Sequence, residues 1–292
     1  DFFALADKAR RARGMPRIDK HIYARENGWA IEALAALYEY GGEQQWLDRA
    51  RLAANWIIAN RRNKAGGFLH DERGTNGNLA GPYLGDSLAM SIALLQLYKV
   101  TSETAWLIKS QLAADFILGN FAHPVRGFFA SVANGALAPI VEVDENIRLA
   151  RHFNLLYHYT GAQKYKQAAE HSMRFLSHPQ VALKRINESG VLLVDMELDR
   201  APLHLTVVAN DANAPGAIRL FRTALMSTNG YKRAEWWRPV SGELPNHDVA
   251  YPSLGKPAGF VCTAKRCSSP RFEAGDYARM IEKLRSERPV VK

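Results

Sequence analysis

The chain has 292 residues, of which 47% are hydrophobic and 23% charged, enough to bury a large core and too apolar for disorder. Its 38 Lys and Arg against 29 Asp and Glu give a formal charge of +9. The cations fall in short clusters (Arg10, Arg11, Arg13 and Arg17; Arg61, Arg62 and Lys64; Lys283, Arg285, Arg288 and Lys292) with acids between them, a solvated basic surface rather than a nucleic-acid face.

No run approaches the roughly 18 apolar residues of a membrane span, so a soluble protein is expected, cytoplasmic or periplasmic, with no nucleic-acid or membrane partner. The chain opens on Asp1 and enters an amphipathic stretch at once (Phe2, Phe3, Leu5, Ala6, Ala9). That start reads as a trimmed end with something upstream.

The next helical run, Ile31, Leu34, Ala35, Leu37 and Tyr38, is apolar around most of its circumference, as a helix buried on several sides is. A turn at Tyr40-Gly41-Gly42-Glu43 reverses the chain. A second helix is expected over 43–60, with Trp46, Ala50, Ala53, Ala54, Ile57 and Ile58 set against Asp48, Arg49 and Arg51, as on a half-exposed face. Gly66-Gly67-Phe68 then offers a tight return with an aromatic plug.

The same order recurs. Leu88, Ile92, Leu95, Leu97 and Tyr98 lead through Val100-Thr101-Ser102-Glu103 to a helix over 103–119 and to Arg126-Gly127-Phe128. Ile147, Leu149, Ala150, Phe153, Leu156 and Tyr157 lead through Thr160-Gly161-Ala162 to a helix over 162–177. Tyr38, Tyr98 and Tyr157 are spaced by 60 and 59 residues, and so are Trp46, Trp106 and Tyr165.

A helical hairpin repeated at this period predicts a mainly α chain, an α/α-toroid with inner first helices and outer second helices. Three pairs are clear. The ring is therefore partial, borrows upstream hairpins, or closes with 1–13 and Ser189–Asp199.

From Leu203 the period changes. Leu203–Val208 reads as a strand, 214–225 as a helix, 233–238 and 258–263 as strands and 276–285 as a closing helix. The expected division is a toroid over 1–201 and a small α/β appendage over 202–292.

Parallel inner helices gather their N-termini, with their N–H groups and positive dipole ends, on one rim. The offset places Glu26-Asn27, Asp86-Ser87 and Glu145-Asn146 at equivalent helix starts. Glu26, Asp86 and Glu145 are the candidate catalytic carboxylates, because sugar chemistry uses a paired acid and base. Arg25, Asn27, His70, Tyr83, Asn146 and Arg148 are the candidate substrate contacts, with Asp71 and Asp144 nearby. The competing reading of Asp, Ser and Asn here is as ordinary helix caps.

The histidines show no metal spacing, and neither metal nor cofactor is expected. Cys262 and Cys267, five apart, fit a disulfide across a turn, two ligands of a metal completed from elsewhere, or two reduced structural thiols.

Three stretches carry a resemblance: Ile18-Asp19-Lys20 followed by Asn27-Gly28; the run from Tyr83 through Phe128; and Lys256-Pro257-Ala258-Gly259-Phe260-Val261-Cys262 with Cys267 and Pro270. They resemble thioredoxin-domain-containing proteins of the spermatogenesis-associated type, whose helical region is similar to the six-hairpin glycosidase fold of N-acylglucosamine 2-epimerases. The resemblance implies a thioredoxin-like domain upstream and a sugar epimerase- or glycosidase-like ancestry. This chain departs from it at two points, with Glu26 where the family has tryptophan before Asn-Gly and Gly85 where the family has the first of two acids.

Two functions follow as expectations. One is carbohydrate processing or binding at the rim; the other is a non-catalytic scaffold for a thioredoxin-like domain. An open polar funnel between the inner helices favours the first, and a filled one the second. Redox chemistry at the cysteine pair is a third.

Overall fold

The computed structural model describes residues 1–14, 19–72, 81–132, 138–184, 187–228 and 230–287. Arg17, Ile18, Arg288 and Lys292, named above, lie outside them. The helices are α1 (Asp7–Ala12), α2 (Ala24–Gly41), α3 (Gln44–Arg61), α4 (Leu84–Thr101), α5 (Thr104–Phe121), α6 (Val143–Thr160), α7 (Gln163–Leu176), α8 (Pro179–Ala182) and α9 (Ser189–Asp199). The chain continues as β1 (Leu203–Val208), α10 (Pro215–Met226), β2 (Lys232–Trp237), β3 (Ala258–Cys262) and α11 (Ala274–Ser286).

The spaced tyrosines mark the last turns of the inner helices. Gly42, Ser102 and Gly161 each adopt the left-handed conformation, and their N–H groups donate to the carbonyls of Tyr38, Tyr98 and Tyr157 at 2.9, 2.6 and 2.7 Å. This closes each helix end and reverses the chain. Ser102 takes this conformation without being glycine because its Oγ accepts the Trp236 N–H at 2.8 Å.

The return loops carry a second repeated bond. Phe68 and Phe128 are buried plugs. The Phe68 N–H donates to Ser87 Oγ at 3.0 Å, and the Phe128 N–H to Asn146 Oδ1 at 2.8 Å. Each bond spares a buried N–H the roughly 1–3 kcal/mol that a missing partner costs.

Helix α4 is buried along nearly its whole length, as the inner-layer reading requires, with α2 on one side and α5 on the other. The approach of α2 is close because residue 28 is glycine: a Cβ there would stand 2.8 Å from the Ala89 carbonyl carbon. Helix α9 continues the inner layer against α6 and α7 through Val194, Ile147, Ala150 and Leu176. Helix α1 buries none of its residues. Six residues, four of them charged, make too little apolar face to help close a ring.

The strands form one sheet in the order β2-β1-β3, with β1 and β2 parallel across α10 and β3 antiparallel to β1. This unit covers the C-terminal ends of the inner helices. Arg222 donates to the Tyr38 carbonyl at 3.0 Å, the Tyr98 hydroxyl to Glu235 at 2.7 Å, and Asn246 to the His158 carbonyl at 2.8 Å. Buried Glu39 takes Lys99 from α4 and Lys232 from β2, both at 2.9 Å. Burial alone would raise its carboxyl; the two ammonium groups outweigh that and hold it low.

Among the described residues no helix is long and apolar enough to cross a membrane.

Candidate active site at the inner-helix rim

Glu26, Asp86 and Glu145 are each the third residue of their helices. The N-cap positions belong to Tyr23, Tyr83 and Glu142, none of which makes a side-chain cap bond. The three carboxylates are therefore not caps. They stand in the first turn, where the dipole favours an anion, and their side chains are used otherwise.

Arg25 gathers them. Its N–H donates to Asp86 Oδ1 at 2.9 Å, and its guanidinium reaches Glu26 Oε1 through Nε at 3.1 Å and Nη2 at 3.0 Å. Glu145 comes in from α6 over Gly85, where a Cβ would lie 2.7 Å from Glu145 Oε1 and 3.1 Å from Arg25 Cδ. A side chain at 85 would have to displace the Glu145 carboxylate. Glu145 brings a carboxylate into the space beside Gly85.

Burial pushes Glu145 up to about 7; Arg25 opposes the rise, and Glu142, Asp86 and Asp144 add to it. Its Oε2 is buried without a partner, as is Oε2 of Glu26. Asp86 is 1% exposed, and burial raises its carboxyl against the pull of His70. The hydrogen bond to Asp86 in turn raises His70. Its Nδ1 lies 3.0 Å from Asp86 Oδ1, while the ring stacks on Tyr23 at 4.3 Å and meets the edge of Tyr83 at 5.9 Å. The return loop holds it there, the His70 carbonyl accepting the Ala24 N–H at 3.1 Å.

Two predicted contacts are spent inside the protein. Asn146 is fully buried. Its Oδ1 takes the Phe128 N–H, and its Nδ2 donates to the carbonyls of Phe128 and Glu142 at 3.0 and 2.8 Å. It pins the loop and reaches no ligand. Asn27 donates to the Tyr23 carbonyl at 2.8 Å. Asp71 pairs with His21 at 2.5 Å, beside rather than among the three carboxylates.

Sequence reasoning missed Trp29. This indole, 43% exposed, lies between the guanidinium groups of Arg25 at 5.2 Å and Arg148 at 5.8 Å. Arg148 also pairs with Glu32 at 2.9 Å, joining α6 to α2. The available signal was one helical turn: Arg25, Trp29 and Glu32 share a face. Beneath this layer lies a half-open cavity of about 210 Å³ lined by Glu32, Gln96, Lys99, Arg148, Arg151 and Glu197 among others. Its lining mixes these charged groups with Ile92, Leu95 and Leu155, and Glu26, Asp86 and Glu145 are not part of it.

The cysteines form a disulfide across the turn after β3. Among the described residues no group of three His, Cys, Asp or Glu side chains is arranged to hold a metal ion.

No family profile and no curated protein matches the chain. Among solved structures it is similar to a family 76 glycoside hydrolase, an α-mannanase from Bacteroides thetaiotaomicron. Identity is 12% over 93% of this chain and 72% of that one, with a TM-score of 0.52. A family 76 mannosidase from strain VPI-5482 of the same organism gives 14% identity over 92% and 72%, with a TM-score of 0.50. The chain has the α/α-toroid fold of six-hairpin glycosidases. The toroid also overlaps a sugar epimerase from a ruminal bacterium, at 17% identity, 54% of this chain and a TM-score of 0.46, and spans only 44% of that protein's length.

Proposed function

We propose that the toroid rim binds a carbohydrate and performs acid–base chemistry on it, glycosidase- or epimerase-like, with Glu145 as proton donor. The observation that carries this reading is the contrast between two carboxyls around Arg25. Glu145 is pushed up to about 7 by burial, while Glu26 is paired with the Arg25 guanidinium at 3.0 Å. A buried carboxyl raised towards neutrality suits the proton donor, and an ion-paired carboxylate beside it suits the partner role.

Glu26 is then the base or nucleophile, and His70 a second donor. Asp86, being buried, positions His70 and Arg25. Trp29 offers a sugar ring an apolar face, and Arg25, Arg148 and Tyr83 line the approach to it. The gathering of three carboxylates around Arg25, with Glu145 raised to about 7, supports this over a scaffold role. The likeness to the thioredoxin-domain-containing proteins of spermatogenesis-associated type and an upstream thioredoxin-like domain belong to the same proposal and rest on sequence motifs, and the division at 201/202 rests on the change of period there.

The test is a panel of oligosaccharides led by α-mannosides, the class named for the two family 76 neighbours, together with reducing disaccharides for epimerisation. Glu145→Gln is expected to lower kcat at least ~100-fold while leaving ligand affinity nearly unchanged. Activity should fall as pH rises through about 7, since the donor must hold its proton. No binding across the panel, binding indifferent to Trp29→Ala, or turnover unaffected by Glu145→Gln rejects the proposal in favour of the scaffold.

A further inference from the structure

The two sulfurs of the disulfide have unlike surroundings. Cys267 is exposed, just past the turn that follows β3. Cys262 is 1% exposed and lies against Tyr251, whose hydroxyl stands 3.5 Å from its Sγ and 3.1 Å from Nδ1 of buried His204.

The hydrogen-bond pattern fixes where that hydroxyl proton can go. Thr206 donates its own hydroxyl to Tyr251 at 2.9 Å. His204 Nε2 lies 2.9 Å from Glu235 Oε2 and 2.8 Å from Thr206 Oγ1. Facing a carboxylate, Nε2 bears the ring proton and Nδ1 is left as an acceptor. The Tyr251 proton thus has two acceptors, His204 Nδ1 and Cys262 Sγ. A disulfide sulfur is a weak acceptor, but a thiolate is a strong one.

The turn stays closed without the bridge. The Thr263 N–H donates to the Arg266 carbonyl at 2.9 Å, the Ser268 N–H to the Val261 carbonyl at 2.8 Å, and the Val261 N–H to Ser268 Oγ at 3.2 Å. A cross-link over so short a loop constrains the unfolded chain little. Lys265 and Arg266, between the cysteines, add positive charge that favours thiolate.

We propose that Cys262 and Cys267 form a thiol–disulfide exchange site that accepts electrons from a dithiol and is entered at Cys267. An external thiolate attacks Cys267 Sγ. A mixed disulfide forms, the Cys262–Cys267 bond breaks, and its electron pair leaves on Cys262 as a thiolate, which takes the hydrogen bond of Tyr251 as that hydroxyl turns from His204. The reagent's second thiolate then attacks its own sulfur in the mixed disulfide and releases Cys267 as a thiolate. Two electrons pass from the dithiol, which departs as a disulfide, and both cysteines take protons from solvent. With a monothiol the second attack needs another molecule, so the mixed disulfide persists long enough to be trapped after a short exposure.

The folded, oxidised protein is therefore treated briefly with glutathione, acid-quenched, its free thiols blocked with a maleimide, and digested with trypsin. Cleavage after Lys265 and Arg266 puts the two cysteines on different peptides. Glutathione is expected on Cys267, with a free thiol at Cys262. Glutathione on Cys262, an even split, or no reaction until denaturant is added overturns the proposal.

Tyr251→Phe tests the positioning role. It should slow this exchange about tenfold, the scale of a hydrogen bond to a charged group, yet leave unchanged the alkylation rate of Cys267 in a Cys262→Ser background. Equal loss in both reactions would assign Tyr251 a purely structural part, and an unchanged exchange rate would remove it from the step.

Discussion

Because burial pushes Glu145 up to about 7 from an ordinary 4.5, the folded chain holds a proton that the unfolded chain releases across that interval. Stability from this group is fully present below about 4.5, falls as pH rises and levels off above 7. His152 slopes the opposite way: burial pulls it down to about 3 from 6.5, so its contribution is lost as pH falls. The Glu145 effect is thus read from a difference. Glu145→Gln should be more stable than the parent by up to about 3 kcal/mol at pH 8, and the two should converge below pH 4.5. Urea unfolding across pH measures this, and a variant weaker at pH 8 would remove Glu145 from the buried rim. A gain in stability with a loss of turnover is the trade-off expected of a strained catalytic group.

The positions of Glu26, Asp86 and Glu145 were legible because a fixed offset places each as the third residue of its helix. The close fit at Gly85 was not, since it depends on Glu145 arriving from another helix. Asn146 misled for the same cause: an asparagine at a rim looks available until the buried Phe128 N–H that it serves is seen.

Among the elements, the contact between α2 and α4 sets the spacing of two of the three carboxylates. Gly28→Ala would press a methyl group against the Ala89 backbone at 2.8 Å, where neither helix can yield without shifting. We expect a loss of about 1–3 kcal/mol and a lowered Tm. Gly41→Ala is the control, because the nearest atom to its Cβ is Glu43 Oε1 at 4.0 Å; alanine there should be neutral or stabilising by up to about 1 kcal/mol. Equal effects at both sites would show that the close approach does not limit packing. Helices and hairpins could be read from the sequence because their signals are local, as the match of Ser189–Asp199 with α9 illustrates. The ring was harder: α1 looked amphipathic, but its charges leave it nothing to bury.

At the scale of the whole molecule, the sheet unit closes the end of the helical layer opposite the rim. Leu203, Leu205, Val207, Ala217 and Ala234 join the same core cluster as the inner helices, and Glu39 is bracketed by lysines from α4 and β2. Removing 202–292 would strip Lys232 from Glu39, free the hydroxyl of Tyr98, and expose apolar helix ends. The fragment 1–201 is expected to bind a hydrophobic dye and to lose the sharp unfolding transition of the parent; a sharp transition in the fragment would instead support two independent units. None of this docking was legible beforehand, since Tyr98 and Glu235 stand 137 positions apart and periodicity carries no information over that distance.

The indole held between Arg25 and Arg148 also makes the rim optically addressable. Two cations against one half-exposed ring set its emission, and a guest lying on that ring would displace water and alter the brightness and colour of the signal. The chain has 6 tryptophans, so the response belonging to Trp29 is the part that vanishes in Trp29→Phe. Titrating candidate sugars against that difference would report occupancy of the mouth directly, without labels and before any reaction is known.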